Sequence, residues 1–219
     1  MTRLALLVLT GAAAAALGLG LGVGGFGGVA LPTGDMADQD HGDMKASPKF
    51  GGKVLLDITP MFEVEAAVGY HTGHHLKDWE DTTGIEEPST KVVPITAGMN
   101  VKYVVGPLGV YAGGGFGYYL ATIGSTGVLA IPLVGNVAYS ADTNVNGLGF
   151  YGSGGVLVRF GKLAVDINPR YNYVVNDGTY DYTLKWDWNG IGGTEHGTYE
   201  KDWKDSYVDV LFGVDYFFM

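Results

Sequence analysis

Three histidines, His71, His74 and His75, stand within five residues of one another, and Asp78 and Glu80 follow them closely. Imidazoles beside carboxylates are ligands for a transition metal. These histidines are therefore candidate metal ligands, although their spacing lacks the regularity of a dedicated site. Asp38-Gln-Asp40-His-Gly42-Asp43 echoes a calcium loop without its closing Glu, so weak cation association is the most it implies. Acyl transfer or hydrolysis would need a Ser beside a His with an orienting acid. Ser153 is the one serine well inside an alternating run on its polar parity, and no His lies in that run or in the runs that follow or precede it. No catalytic residue is expected, and no cofactor. Gly22-Val-Gly-Gly-Phe-Gly27 matches the dinucleotide fingerprint in spacing alone, since no helix follows it.

The remaining charges are informative through their parity. Lys53, Asp57, Glu63, Glu65, Lys102, Arg159, Asp166, Arg170, Asp209 and Asp215, with Lys49 beside them, all fall on the same side of alternating runs. The opposite parity of those runs carries no Asp, Glu, Lys or Arg. In the last run Val208, Val210, Phe212, Val214, Tyr216 and Phe218 point one way, while Asp209, Leu211, Gly213, Asp215 and Phe217 point the other. One face is unbroken hydrocarbon and the other is mixed and small. A charge facing lipid at mid-bilayer costs about 2–4 kcal/mol, so its absence from every such position is informative. A soluble lipocalin-like barrel would alternate in the same way with its faces exchanged; a non-apolar face made mostly of Gly, Ala and Asn, aromatics gathered near strand ends and an export signal favour a membrane-spanning β-barrel. Two readings of the inner charges follow: an ion-pair network that neutralises buried groups, or a polar conduit along Glu63, Glu65, Arg159 and Arg170. The network is the expected one, because pairing is obligatory and conduction is not. A neutral change such as Asp209→Asn is expected to be milder than Val210→Arg or Val156→Arg, since this face tolerates polarity.

These positions need eight strands: 17–31, 49–58, 62–72, 92–105, 109–122, 147–160, 163–175 and 206–219. Most reach the ~9–11 residues that a tilted strand needs to cross a bilayer. Thr59-Pro60-Met61, Gly106-Pro107-Leu108 and Gly161-Lys162 are tight connections, and 32–48, 73–91, 123–146 and 176–205 are long ones. The two kinds alternate, which puts all short turns at one end of an eight-stranded antiparallel up-and-down transmembrane β-barrel. Pro94 and Pro169 lie inside runs, and a bulge or strand end is expected at each. Ahead of the strands, Arg3, the apolar stretch Leu4 to Thr10 and the small residues Ala12 to Ala16 read as a signal peptide over 1–16, leaving 17–219 as the barrel domain. The alternatives are a transmembrane helix over 4–31 and a cut after Ala30, which would leave seven strands.

Composition agrees. The chain of 219 residues has 37 Gly and no Cys, which excludes disulfides and thiolate zinc sites. Its net charge of −10 argues against nucleic acid as a partner.

The pieces Val54-Leu-Leu-Asp-Ile-Thr-Pro-Met-Phe-Glu-Val-Glu-Ala-Ala-Val-Gly-Tyr-His71, Lys102-Tyr-Val-Val-Gly-Pro-Leu-Gly-Val-Tyr-Ala-Gly-Gly-Gly-Phe-Gly-Tyr-Tyr119 and Gly213-Val-Asp-Tyr-Phe-Phe218 resemble the OmpW/OmpX-like outer-membrane β-barrel superfamily. The resemblance implies a bacterial outer-membrane location and, for OmpW-like members, a narrow path or pocket for small hydrophobic compounds. Such barrels usually end on an aromatic residue, whereas Met219 follows Phe218 here.

Two long connections stand out. Gly127 to Tyr139 is apolar, and Val128, Leu129, Ile131, Leu133 and Val134 form a candidate hydrophobic loop for a ligand or partner. Tyr180, Tyr182, Leu184, Trp186 and Trp188 alternate before Asn189-Gly-Ile-Gly-Gly193, which predicts a hairpin extending strands seven and eight above the membrane. The expected function is binding or slow passage of small hydrophobic compounds. A structural or adhesive surface barrel is the alternative, and a lipid-modifying enzyme the remote one. The expected surroundings are outer-membrane lipid and lipopolysaccharide, with the chain a monomer.

Overall fold

A computed structural model describes residues 20–38, 44–76, 89–131, 135–202 and 204–218. Eight long strands close a barrel: β1 (Gly20–Thr33), β2 (Ser47–Thr59), β3 (Phe62–His75), β4 (Ser89–Val105), β5 (Leu108–Ile131), β7 (Gly147–Phe160), β8 (Leu163–Val175) and β11 (Asp205–Phe217). Three more, β6 (Gly135–Asn144), β9 (Gly178–Trp188) and β10 (Ile191–Lys201), lie in the long connections. All pairings are antiparallel, β1 closes on β11, and β5 closes on β7. A transmembrane helix over 4–31 is ruled out, because β1 pairs along its length with both β2 and β11. Residues 1–19, which include the expected signal peptide, lie outside the described residues.

The two faces are those the parity of charge requires. Phe50, Val68, Met99, Phe116, Phe150, Val156, Ile167 and Phe212 are exposed hydrophobes on the outer surface. Asp, Lys, Glu and Arg from the opposite parity are buried inside. The hydrocarbon face ends at a definable level: on β5 the outward row runs Phe116, Tyr118, Leu120 and then Thr122, which pairs with Lys91 of β4. Above that level the outer surface is polar, so this line marks the outer edge of the membrane belt.

The tight turns sit together at the opposite end. Gly106 and Gly161 take φ of 60° and 63°, a region that a side chain disfavours, and so let two-residue connections close there. Phe218 N–H donates to the Leu21 carbonyl at 2.9 Å, which ties the last described residue to the first strand.

Neither proline ends a strand. The β4–β5 register runs without a break through Pro94, and the β8–β11 register through Pro169. On its other side each proline interrupts pairing without shifting it: β3–β4 passes from Val68↔Ile95 to His71↔Val92, and β7–β8 from Ser153↔Arg170 to Val156↔Ile167. A missing N–H removes a ladder bond, and the flanking pairs hold the register.

The third long connection is a hairpin rather than a loop. β5 has 24 residues, about 80 Å of extended chain at ~3.3 Å each, far more than a bilayer needs. Its lower part pairs with β7 up to Tyr119↔Gly147, and from Thr122 upward its partner is β6. At the switch Val145 N–H donates to the Ala121 carbonyl at 2.9 Å, and the Asn146 side chain accepts from Ala121 N–H at 3.2 Å. The β9–β10 hairpin forms as the sequence predicts, turning at Asn189 and Gly190 with φ of 51° and 81°. It does not extend strands seven and eight, however. β9 pairs sideways with β6, so β5, β6, β9 and β10 build one raised sheet above the barrel.

Candidate functional site

The bore is filled by paired charges in tiers. Nearest the tight turns, Lys102 is bonded to Asp57 and lies 3.0 Å from Glu63, which also accepts from Asn100 at 3.1 Å. Arg159 lies 3.9 Å from Asp57 and stacks on the Phe217 ring at 4.4 Å. Above them Lys53 bridges Asp166 at 3.0 Å and Asp215 at 3.1 Å, while Tyr111 donates to Asp166 at 2.8 Å. Gly213 makes room for this tier, because a Cβ there would meet the Asp166 carboxylate at 2.0 Å. Next come Arg170 and Glu65 at 2.5 Å, the guanidinium lying over the Tyr151 ring at 4.2 Å. Highest is Lys49 with Asp209 at 2.5 Å, Asn172 donating to the same carboxylate at 2.8 Å.

Every residue of the expected inner charge set therefore has a partner, and all belong to ion pairs or charge-assisted bonds. Among the described residues Glu63, Glu65, Arg159 and Arg170 are taken up in these pairs rather than lining an open conduit. Between the tiers lie cavities of about 40 and 10 Å³. A water needs about 10–15 Å³, so these spaces fit a few waters and no organic solute.

At the top of the bore the charges give way to an apolar plug. Ala30, Met36, Met44, Val92, Tyr119, Ala121, Val145, Val174 and Tyr207 are buried together, with Leu76, Ile123 and Tyr180 packed against them. Met36 belongs to a single 3-10 turn over Gly34–Ala37, and Met44 N–H donates to the Met36 carbonyl at 2.9 Å. Met36 and Met44 of the first long connection are thereby buried in the plug.

The raised sheet continues both surfaces of the barrel. Its outward positions are mostly polar: Asn136, Asp142, Thr179, Asp181, Lys185, Asp187, Thr194 and His196 are exposed, with Val128 and Ala138 the apolar exceptions among the described side chains. On the inner side Val137, Tyr139, Ala141, Tyr182, Leu184, Trp186 and Trp188 are half-buried, and Ser125 bonds to the Tyr139 hydroxyl at 3.2 Å. Glycines opposite the rings make this wall flat. A Cβ at Gly193 would sit 2.8 Å from the Trp186 ring, and one at Gly197 would sit 2.6 Å from the Tyr182 ring. The sheet is held down at its return to β11, where Lys201 lies 3.0 Å from Asp205 and donates to Asn176 at 2.9 Å. Burial pulls the Lys201 ammonium below its ordinary pKa, and Asp205 opposes that shift.

The histidines are divided. His71 and His74 come together, Nδ1 to Nε2 at 3.4 Å, whereas His75 is a half-buried neighbour outside this contact. Asp78 and Glu80 lie outside the described residues. Among the described residues no group of three His, Cys or carboxylate side chains is placed to hold a metal. Ser153 stands opposite Gly113 and Arg170, and its hydroxyl has no hydrogen-bond partner among the described residues. Of the expected hydrophobic loop, Val128 is exposed on the outer face near the tip of β5. The side chains of Leu129 and Ile131, and the whole of Leu133 and Val134, lie outside the described set. The aromatic wall is what the sequence reading missed as a site: the alternation of Tyr180 to Trp188 was legible, but its pairing with β6 was not.

A closed eight-stranded bore, an apolar belt and long connections at one end only define a membrane-spanning barrel of the bacterial outer-membrane type. The chain is similar in structure to a major outer membrane protein of Thermus thermophilus, with a TM-score of 0.63 and 15% identity, covering 91% of this chain and 99% of that one. It is also similar to Neisserial surface protein A, with a TM-score of 0.53 and 11% identity, over 91% and 96% of the two chains. No family model and no curated protein sequence matches it. These likenesses bear on the fold, which is that of the small outer-membrane barrels the sequence resembles.

Proposed function

We propose that this protein works in a bacterial outer membrane as a non-conducting barrel that captures small, largely apolar compounds at its outer mouth. One observation carries the reading: the inner face of the raised sheet is an aromatic wall flattened over Gly193 and Gly197, with Glu195 the charge at its β10 edge, while its outer face is mostly polar. A free-standing sheet in water has no reason to be apolar on one side unless that side meets something. The bore supports capture over passage, because a solute would have to break paired charges in cavities the size of a few waters. Acyl chains of membrane lipid and of lipopolysaccharide contact the belt, and the exposed Asp142, Asp181 and Asp187 of the raised sheet suit divalent bridges to lipopolysaccharide phosphate. The barrel closes without a second copy, consistent with a monomer. A structural or adhesive surface barrel is the second reading, favoured by β10, whose outer edge carries no partner strand among the described residues.

The test pairs conductance with binding. The purified barrel in a planar bilayer is expected to give no discrete current steps. The apolar dye N-phenylnaphthylamine is expected to bind, and Trp186→Ala with Tyr182→Ala to weaken it at least tenfold while heat-modifiable gel migration stays normal. Dye affinity unchanged in that variant, or discrete conductance blocked by an apolar solute, overturns capture at the wall.

A further inference from the structure

Beneath the apolar plug, an irregularity in β3 has a chemical consequence. Residues three apart on a regular strand point to opposite faces, so His71 and His74 would ordinarily part company. The register shifts between them, from His71↔Val92 to His74↔Thr90, and Gly73 between them takes φ of 132°. Bulges of this kind re-aim side chains, and here both rings end up inside the bore, His71 at 0% and His74 at 1% exposure. Their facing nitrogens are 3.4 Å apart. Two imidazoles on one tetrahedral centre, with bonds of about 2.0–2.1 Å, have nitrogens about 3.3–3.4 Å apart.

Other contacts prepare the pair. His74 Nδ1 lies 2.9 Å from the Lys45 carbonyl, so its proton is held there and Nε2 presents a lone pair to His71. An imidazole oriented by a backbone carbonyl is the usual companion arrangement of a metal ligand. His71 Nε2 is buried with no hydrogen-bond partner among the described residues. Both rings pack on Tyr207, with centroids at 5.0 and 6.2 Å. Tyr207 also belongs to the buried cluster that holds Met36 and Met44. Met44 precedes Lys45 directly in the chain, and its N–H is bonded to the Met36 carbonyl. Met36 and Met44 thus share one buried cluster with the ring on which both imidazoles pack.

That donor set selects among metals. It contains no carboxylate, and the Lys49 ammonium, 5.6 Å over the Tyr207 ring, is already paired with Asp209. Thioether and imidazole without hard oxygen suit a soft monovalent ion. We infer that the plug of this barrel binds one copper(I) ion, with His71 Nδ1 and His74 Nε2 as nitrogen ligands and Met36 and Met44 as sulfur ligands. The ion takes the place of the hydrogen between the rings, and the His71 proton resides on Nε2 instead, so both imidazoles stay neutral and no proton is released.

The experiment uses the folded full barrel in detergent and two probes: silver(I) nitrate by calorimetry, and copper(I) kept reduced with ascorbate in competition with bicinchoninate. One ion per chain is expected, with X-ray absorption showing sulfur and nitrogen in the copper shell. Met36→Leu with Met44→Leu conserves core volume and is expected to weaken binding at least tenfold and remove sulfur from the shell. Met61→Leu with Met99→Leu, both exposed, the first at a tight turn and the second on the lipid face, is expected to change nothing, and zinc(II) to bind at least a hundredfold more weakly than copper(I). Binding unchanged in the Met36/Met44 variant, a shell of nitrogen and oxygen alone, or no stoichiometric binding of either probe overturns the inference.

Discussion

Replacing Asp209 by Asn is a sharp test of how the bore is held together. From parity alone this change is milder than Val210→Arg or Val156→Arg, since the inner face accepts polar groups. The structure reverses that expectation. Asp209 is wholly buried, its carboxylate lies 2.5 Å from Lys49 Nζ, and the Lys49 side chain is only 3% exposed. No other carboxylate comes within 4 Å of that ammonium among the described residues. An amide in place of the carboxylate would keep the shape and lose the charge, stranding a buried cation. Removing one partner of a buried pair costs about 3–5 kcal/mol, whereas an exposed pair is worth about 0–1. With a urea slope of about 1–3 kcal/mol/M, the midpoint should fall by roughly 2 M. The assay is urea unfolding of the refolded barrel in detergent, followed by tryptophan fluorescence and by heat-modifiable migration. Lys49→Met added to Asp209→Asn should restore more than half of the loss, because no charge then remains to be paired. Lys162→Met, at the exposed turn, should shift the midpoint hardly at all. A loss below about 1 kcal/mol for Asp209→Asn, or a double variant no better than the single one, would refute the pairing argument.

The outer face makes the complementary prediction: Val156→Arg or Val210→Arg, at positions 52% and 41% exposed toward lipid, should cost about 2–4 kcal/mol each and reduce insertion into vesicles. Normal insertion of both would point to a water-soluble barrel. Topology gives a third: an epitope inserted at Asn189-Gly190, at the tip of the β9–β10 hairpin, should be labelled on intact cells, and one at Gly161-Lys162 should not. Equal labelling would contradict the assignment of the raised sheet to the outer side.

How much was legible in the sequence depended on the range of the interaction. Alternation is local, and a single charge facing lipid is expensive, so Val210 and Asp209 disclose their opposite faces without any knowledge of their neighbours. The eight barrel strands and their order followed from that rule and from the alternation of short and long connections. The strand ends above the membrane did not, because the lipid constraint stops there. Beyond Thr122 the outer face of β5 turns polar, and Gly127 to Ile131 then reads as an apolar loop although it is strand. Its continuation depends on β6, and the place of β9 depends on pairing with β6 rather than with β8 or β11. The β6–β9 pairing joins residues far apart in the chain, and no local pattern encodes it. The same holds inside the bore. Parity put eleven charges in one space, but only the closed barrel decides that Lys49 depends on Asp209, that Lys53 serves two carboxylates, and that Gly213 must be small for Asp166 to fit. His71 and His74 show the limit most plainly: strict alternation assigns them to opposite faces, and a one-residue register shift at Gly73 brings them together.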